Sequence, residues 1–265
     1  MMFVGQGSLK ELFNKKSLSS LSNILILEGD MGAGKHFFVS ELARKFDVSC
    51  VDITDRLIYT TIEDIYLNSI PTFYVINGDM ITVKQEGVIL KLLEEPPASA
   101  YLFILSTGVH RLLPTIRNRG LIYTFIPYTE TELKQFILEQ GISENIDFSL
   151  LNTPGKILNW YQYPVEKIKE LCDKILIKVP VASFSNALSI SEKINFTSKE
   201  GDTYPYMLVF YCLLHEAVFL YTDQQIEEEV FSLTRHLWNN SFLPNVDRNR
   251  LFDHYLSELK LLGMK

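Results

Sequence analysis

One stretch restricts this chain more than any other. Gly29-Asp30-Met31-Gly32-Ala33-Gly34-Lys35-His36 follows the apolar run Ile24-Leu25-Ile26-Leu27 and precedes Phe37, Phe38, Leu42 and Phe46 at helical spacing. An aliphatic run without alternation predicts a strand buried on both faces, which needs helices on each side of its sheet. The glycines permit a turn whose backbone N–H groups converge, and the helix N-terminus behind them adds partial positive charge. G-x-x-x-x-G-K between strand and helix is the pattern of a phosphate-binding loop, with Lys35 supplying a full positive charge. A glycine-rich turn that merely closes a βα unit is the competing reading.

The rest of the first half supports the same architecture. Val51 to Ile53 reads as a short strand, Phe73 to Ile76 as a buried one, Val88 to Leu93 as a helix ended by Pro96-Pro97, and Leu102 to Leu105 and Leu121 to Ile126 as two further strands. Strands alternating with helices predict an α/β fold, a parallel sheet with flanking helices. From residue 128 the pattern is helical. Thr129-x-x-Glu132 predicts a capping box, and Gly141 a left-handed stop. Pro164 suits the start of a helix bearing Ile168, Leu171, Ile175 and Leu176 on one face. One helix within 178–203 and others near 204–222, 225–239 and 246–262 complete the expectation. The cuts fall near 127 and 178, giving an α/β domain at 1–127, a helical lid at 128–177 and a helical domain at 178–265.

The loop lacks the groups that usually hold magnesium. The position after Lys35 normally carries a Ser or Thr hydroxyl for Mg²⁺, and here it is His36, a poor ligand for a hard cation. The strand ending at Ile76 is followed by Asn77-Gly78-Asp79-Met80 rather than an acidic pair. Asp79 serves such a site only if the strand register slips by two. Phosphate binding is therefore expected without hydrolysis.

Several separated segments, taken together, resemble one family. They are Val4-Gly5-Gln6, the phosphate loop, Leu92-Leu93-Glu94-Glu95-Pro96-Pro97, the strand ending Ser106-Thr107, Leu112-Leu113-Pro114-Thr115-Ile116-Arg117-Asn118-Arg119, and Thr153-Pro154-Gly155-Lys156. In this order they resemble the AAA+ clamp-loader subunits of DNA polymerase III, especially the delta-prime type. The resemblance implies an AAA+ module with a lid and an all-α collar domain. It also implies partnership with other AAA+ loader subunits and a sliding clamp, with primer-template DNA met only inside the assembly. It matches Arg119 to an arginine finger that completes a neighbour's ATP site, although the motif's outer letters are Asn118 and Gly120. A guanidinium at the γ-phosphate stabilises developing negative charge. The competing reading makes Arg119 a salt-bridge partner of Glu94 or Glu95. Thr107 matches the first sensor and Lys156 the second, so the implied nucleotide-binding set is Gly29, Gly32, Gly34, Lys35, His36, Thr107 and Lys156. ATP or ADP is the implied ligand, held weakly and without need of magnesium. The family's four-cysteine zinc module is not expected, because residues 47–70 hold only Cys50. The alternatives are a working ATPase subunit using Asp79, and an AAA+-derived adaptor that binds no nucleotide.

Composition narrows the classes further. With 47% apolar and 22% charged residues, the chain has material for a buried core. A formal charge of −7 argues against tight, unaided DNA binding, which needs a basic face. Cys50, Cys172 and Cys212 form no Cys-x-x-Cys pair, which fits a reducing cytoplasm. No apolar run is long enough for a membrane span. His215-Glu216 opens an H-E-x-x-H pattern that Phe219 fails to close, so no zinc pair is expected.

Overall fold

The computed structural model describes residues 5–56, 59–142, 148, 151–162, 165–181, 212–214, 216–217, 224–241 and 246–263. The chain divides into two compact units, Met1–Ile157 and Leu158–Lys265.

In the first unit the strands are β1 (Ile24–Glu28), β2 (Ser49–Asp52), β3 (Thr72–Asn77), β4 (Ala100–Ser106) and β5 (Leu121–Thr124). They form one parallel sheet in the order β2-β3-β4-β1-β5. The helices are α1 (Gly7–Asn14), α2 (Lys35–Phe46), α3 (Tyr59–Leu67), α4 (Val83–Glu94), the single turn α5 (Pro114–Arg117) and α6 (Glu130–Gln140).

Side chains alternate across the sheet and so divide the core in two. Leu25, Leu27, Phe73, Val75, Phe103 and Leu105 meet Phe13 of α1 and Phe38, Val39 and Leu42 of α2. Ile24, Ile26, Tyr74, Ile76, Leu102 and Ile104 meet α3, α4 and α5 through Ile62, Ile65, Val88, Ile89, Leu92 and Ile116. The strands buried on both faces are therefore those whose sequences run apolar without interruption. The edge strands differ: Val51 on β2 and Leu121 and Ile122 on β5 are exposed. The last expected strand stops at Thr124: the Phe125 N–H still bonds the Glu28 carbonyl of β1, but the Ile126 backbone pairs with the Gln6 side chain instead.

Local signals hold where the chemistry is local. Thr129 caps α6, with Glu132 reaching back to the Thr129 N–H at 2.8 Å, and Gly141 ends it at φ 68°. Lys45 closes the C-terminal end of α1 through the carbonyls of Phe13 and Asn14 at 2.7 and 3.0 Å, where a cation also suits the helix dipole.

α7 (Pro154–Gln162) begins in the first unit and continues into the second, where α8 (Val165–Asp173), a π turn at Lys174–Lys178 and the short α9 (Val179–Val181) follow. The long helices α10 (Gln224–Ser241) and α11 (Arg248–Leu262) come last. Cys172, Ile175, Leu176, Cys212, Leu213, Val230, Leu237, Phe252, Tyr255 and Leu259 form its core. Buried Thr234 shares a hydrogen bond of 3.0 Å with the Tyr255 hydroxyl. Pro164, His215, Phe219 and Val4 lie outside the described residues, as do the helix expected within 178–203 from residue 182 onward and most of that expected near 204–222.

Replacing Phe103, fully buried in the sheet, by Ala should lower unfolding free energy by about 3–5 kcal/mol. Gly141→Ala should cost only about 1–2 kcal/mol, since its Cβ meets open space and only the left-handed backbone resists. Urea unfolding of the two variants checks both.

Candidate functional site

β1 lies between β4 and β5, neither its neighbour in the chain. In open α/β sheets such a switch in strand order opens a crevice at the carboxyl ends of the strands, and the glycine loop lies there. Gly29, Gly32 and Gly34 have φ of 156°, 78° and 87°, so each occupies backbone space that side chains resist. Gly29 also packs on Phe125, whose Cβ would stand 2.6 Å from an added methyl.

The N-terminal segment supports this loop. Buried Gln6 exchanges two hydrogen bonds with the backbone of Ile126, at 2.7 and 2.9 Å. Gly5 leaves room for the Tyr128 ring, and the Tyr128 hydroxyl donates to the Ala33 carbonyl at 2.8 Å. Burial pushes the Tyr128 phenol up to about 12, so it remains a donor throughout the neutral range.

Residues 153–155, at the start of α7, close against the same loop. The Gly155 N–H donates to the Gly32 carbonyl at 2.8 Å, and the Thr153 hydroxyl to the Met31 carbonyl at 2.9 Å. A methyl on Gly155 would stand 2.6 Å from the Gly32 Cα, and one on Gly32 would stand 2.6 Å from the Thr153 hydroxyl. Two glycines facing each other make this backbone approach geometrically feasible.

Lys35 turns onto the carbonyls of Gly29 and Asp30, the latter at 2.9 Å. Burial brings its ammonium down to about 8, against the opposing pull of Asp79, Asp30 and Glu28. Lys156 donates to Asn152 at 2.7 Å, and burial lowers it too while Asp30 pulls the other way. Two cations thus flank one phosphate loop, with Asp30 acting on both.

Magnesium ligands do not fit this site. His36 pairs with Asp52 of β2 at 3.4 Å, both half exposed. β3 keeps its register to the Asn77–Leu105 pair, so there is no slip by two. Gly78 has no space for an acid: an added Cβ would lie 2.5 Å from Leu112 and 2.9 Å from Ile104. Asp79 returns through the 3₁₀ turn Gly78–Met80 and uses both carboxylate oxygens. One accepts the Ser106 hydroxyl at 2.7 Å and the other the Thr107 N–H at 2.8 Å. The Thr107 hydroxyl itself is buried without a partner.

Gly29, Gly32, Gly34, Lys35, His36, Thr107 and Lys156 therefore share one edge of the sheet, and Arg119 does not. Leu121 pairs with Leu25 at the start of β1, whereas Gly29 packs on Phe125. β5 alone spans about 10 Å from Leu121 to Thr124, so Arg119, which precedes it, lies toward the opposite end of the sheet from its own phosphate loop. There its guanidinium donates to Glu94 and to the Thr115 carbonyl, each at 2.7 Å. The salt-bridge reading is thus realised with Glu94. Sequence reasoning missed Asp30, Asn152, Thr153, Tyr128 and Ser106 as parts of the site. Only Thr153, beside Gly155-Lys156, carried a local signal.

A family model described as DNA polymerase III, delta subunit, matches residues 67–129, the segment that holds the L-L-E-E-P-P and T-I-R-N-R runs. The DNA polymerase III subunit delta' of Buchnera aphidicola subsp. Baizongia pistaciae is 28% identical over 72 residues, which is 27% of this chain. The match spans about a fifth of that relative, 21% of its length. Among solved structures, the Thermotoga maritima RuvB Holliday junction branch migration motor aligns with 99% of this chain and 88% of its own, at TM-score 0.50 and 16% identity. A DNA polymerase III gamma subunit-related protein of Thermotoga maritima aligns over 97% and 98%, at TM-score 0.48 and 16% identity. The fold is a parallel α/β sheet with a glycine-rich loop at its switch point, followed by a helical region, as expected from the sequence. The resemblance to the delta-prime type of DNA polymerase III subunit is borne out. No described helix is long and apolar enough to cross a membrane, and no described cluster of His, Cys, Asp and Glu has the makings of a metal site.

The depressed Lys35 has a signed consequence. Between pH 8 and 10.5 the unfolded chain holds a proton on Lys35 that the folded chain has lost, so this group adds stability as pH rises. Its cost is full below pH 8. Lys35→Met should therefore gain most relative to the parent near pH 7, by up to about 3 kcal/mol, and the gap should narrow toward pH 10.5. Thermal unfolding of both proteins across that range measures it.

Proposed function

We propose that this chain is a delta-prime-like subunit of a DNA sliding-clamp loader that hydrolyses no ATP itself and completes a neighbour's ATP site with Arg119. One observation carries the reading: Arg119 precedes β5, at the end of the sheet opposite the phosphate loop that follows β1, so any phosphate it serves belongs to another molecule. A guanidinium aimed across a subunit boundary stabilises the charge that spreads over a transferring phosphoryl group. The substitutions around Lys35 agree with it. His36, Asn77 and Gly78 stand where hydroxyl and acid would be, and Asp79 is committed to Ser106 and Thr107. Gly29, Gly32, Gly34, Lys35 and Lys156 would hold ADP or ATP weakly through its phosphates, independently of magnesium, with Thr107 beside them.

In this reading residues 128–177 act as the lid and 178–265 as a collar that holds the chain in a hetero-oligomeric ring in the cytoplasm. Neighbouring AAA+ subunits and the clamp are its protein partners, and primer-template DNA is met within the ring. Arg119→Ala should abolish turnover at the one site it completes, a fall of about 10³–10⁵ there, with the complex still assembling. The check is ATP hydrolysis and clamp loading by the complex recovered with the tagged chain. Unchanged turnover would overturn the assignment.

A second reading, an adaptor that binds no nucleotide, is favoured by the protein's own contacts on the phosphate loop, Gly155 on Gly32 and Thr153 on Met31. Calorimetric titration with ADP, with and without Mg²⁺, separates the two. Weak, metal-independent binding supports the first, and no heat at millimolar ADP supports the adaptor.

A further inference from the structure

We infer that Glu94 is a gate on Arg119: its carboxylate occupies the guanidinium in the free chain and has to swing aside before Arg119 can meet a phosphate. The inference rests on the reading of Arg119 as a residue that acts on a neighbour's phosphates.

The guanidinium has two partners of different kinds. Thr115, four residues earlier in the same segment, offers a backbone carbonyl at 2.7 Å that moves with Arg119 itself. Glu94 offers a side chain from another element, the last residue of α4, also at 2.7 Å. One partner is fixed and the other is removable. Removal is inexpensive, because the Glu94 side chain is 57% exposed and the Arg119 side chain 31% exposed, and ion pairs in such surroundings are weak.

The location of Glu94 argues that the pair is its main anchor. At the C-terminal end of a helix the exposed carbonyls are themselves negative, so α4 does not stabilise a carboxylate there. Exposed Glu95 follows directly and adds a like charge. Among the described residues, Arg119 is the one cation paired with Glu94.

The charge balance gives the gate its selectivity. With Glu94 in place the guanidinium charge is already matched, Lys91 one turn earlier on α4 offsets exposed Glu95, and an approaching polyphosphate meets no net positive charge there. A multiply charged phosphate that binds the guanidinium's two-pronged edge outcompetes a single carboxylate oxygen. Thr115 then keeps the freed guanidinium oriented. Glu94 is on this account a positioning residue that acts through Arg119 and touches no substrate.

The test uses the complex recovered with the tagged chain, carrying wild type, Glu94→Gln, Arg119→Ala or both. Glu94→Gln should raise ATP turnover at subsaturating ATP by about two- to fivefold at low ionic strength, and the gain should shrink as salt rises. It should produce no gain in the Arg119→Ala background. A fall, no change, or a gain that survives Arg119→Ala would overturn the gate. If Arg119→Ala alone leaves turnover unchanged, the finger reading fails instead. In the isolated chain, phenylglyoxal modification of Arg119, followed by peptide mass spectrometry, then still decides the masking. A faster rate in Glu94→Gln supports it, and an equal rate overturns it.

Discussion

The carboxylate of Asp79 ties together the ends of the two central strands. It accepts a hydroxyl and a backbone N–H from Ser106 and Thr107 at the end of β4, while its own backbone sits in the turn that leaves β3. Its charge also acts on Lys35, which loses solvation in the loop and would lose more of its proton without the three carboxylates nearby. Desolvation wins over attraction here, which is why the ammonium falls to about 8 rather than rising. A carboxylate with both oxygens already engaged is a poor ligand for a cation that demands several oxygens in strict geometry. The interaction that holds this edge together is thus also one that disfavours magnesium.

Packing reinforces the same outcome at Gly78. An acid at the end of β3 would have to displace Leu112 and Ile104, both buried beneath it. Introducing a larger side chain into a filled core costs roughly 1–3 kcal/mol even when it is apolar, and a buried unpaired carboxylate costs more. An acid at position 78 is therefore not reached by one substitution alone. Gly32 and Gly155 make a parallel point: the loop's outer surface is closed by backbone, an approach that any side chain at either position would prevent.

What the sequence disclosed and what it hid follow the range of each interaction. The buried strands were legible because Leu25 to Leu27 and Phe73 to Ile76 face apolar layers on both sides and need no alternation. The cap at Thr129 and the stop at Gly141 were legible because their partners lie within a few residues. The phosphate loop was legible because its glycines are forced by local backbone geometry. By contrast, α1 starts after Gln6 in a left-handed conformation with no side-chain cap. The roles of Tyr128, Ser106 and Asn152 depend on contacts formed only once the sheet is assembled. Asp79 was seen as a candidate ligand, but its pairing with Ser106 spans 27 residues and carries no local pattern.

The placement of Arg119 shows how a parallel sheet keeps its two ends chemically independent. All strands point one way, so residues entering strands gather at one edge and those leaving gather at the other. Lys35, Asp79 and Thr107 follow strands, whereas Arg119 precedes one, and no side chain spans the length between. The crossover helices run back from one end of the sheet to the other, and α4 is the one that leads to Arg119's end. α4 begins soon after Asp79, under a capping box of Thr82 and Gln85, and ends on Glu94. Its twelve residues make a rod about 18 Å long, anchored along its length by Val88, Ile89, Leu92 and Leu93 in the core. A rod so anchored fixes the backbone of Glu94 with respect to the sheet. The freedom left at that end belongs to side chains alone, and an exposed carboxylate and a guanidinium exchange partners there without any rearrangement of the fold.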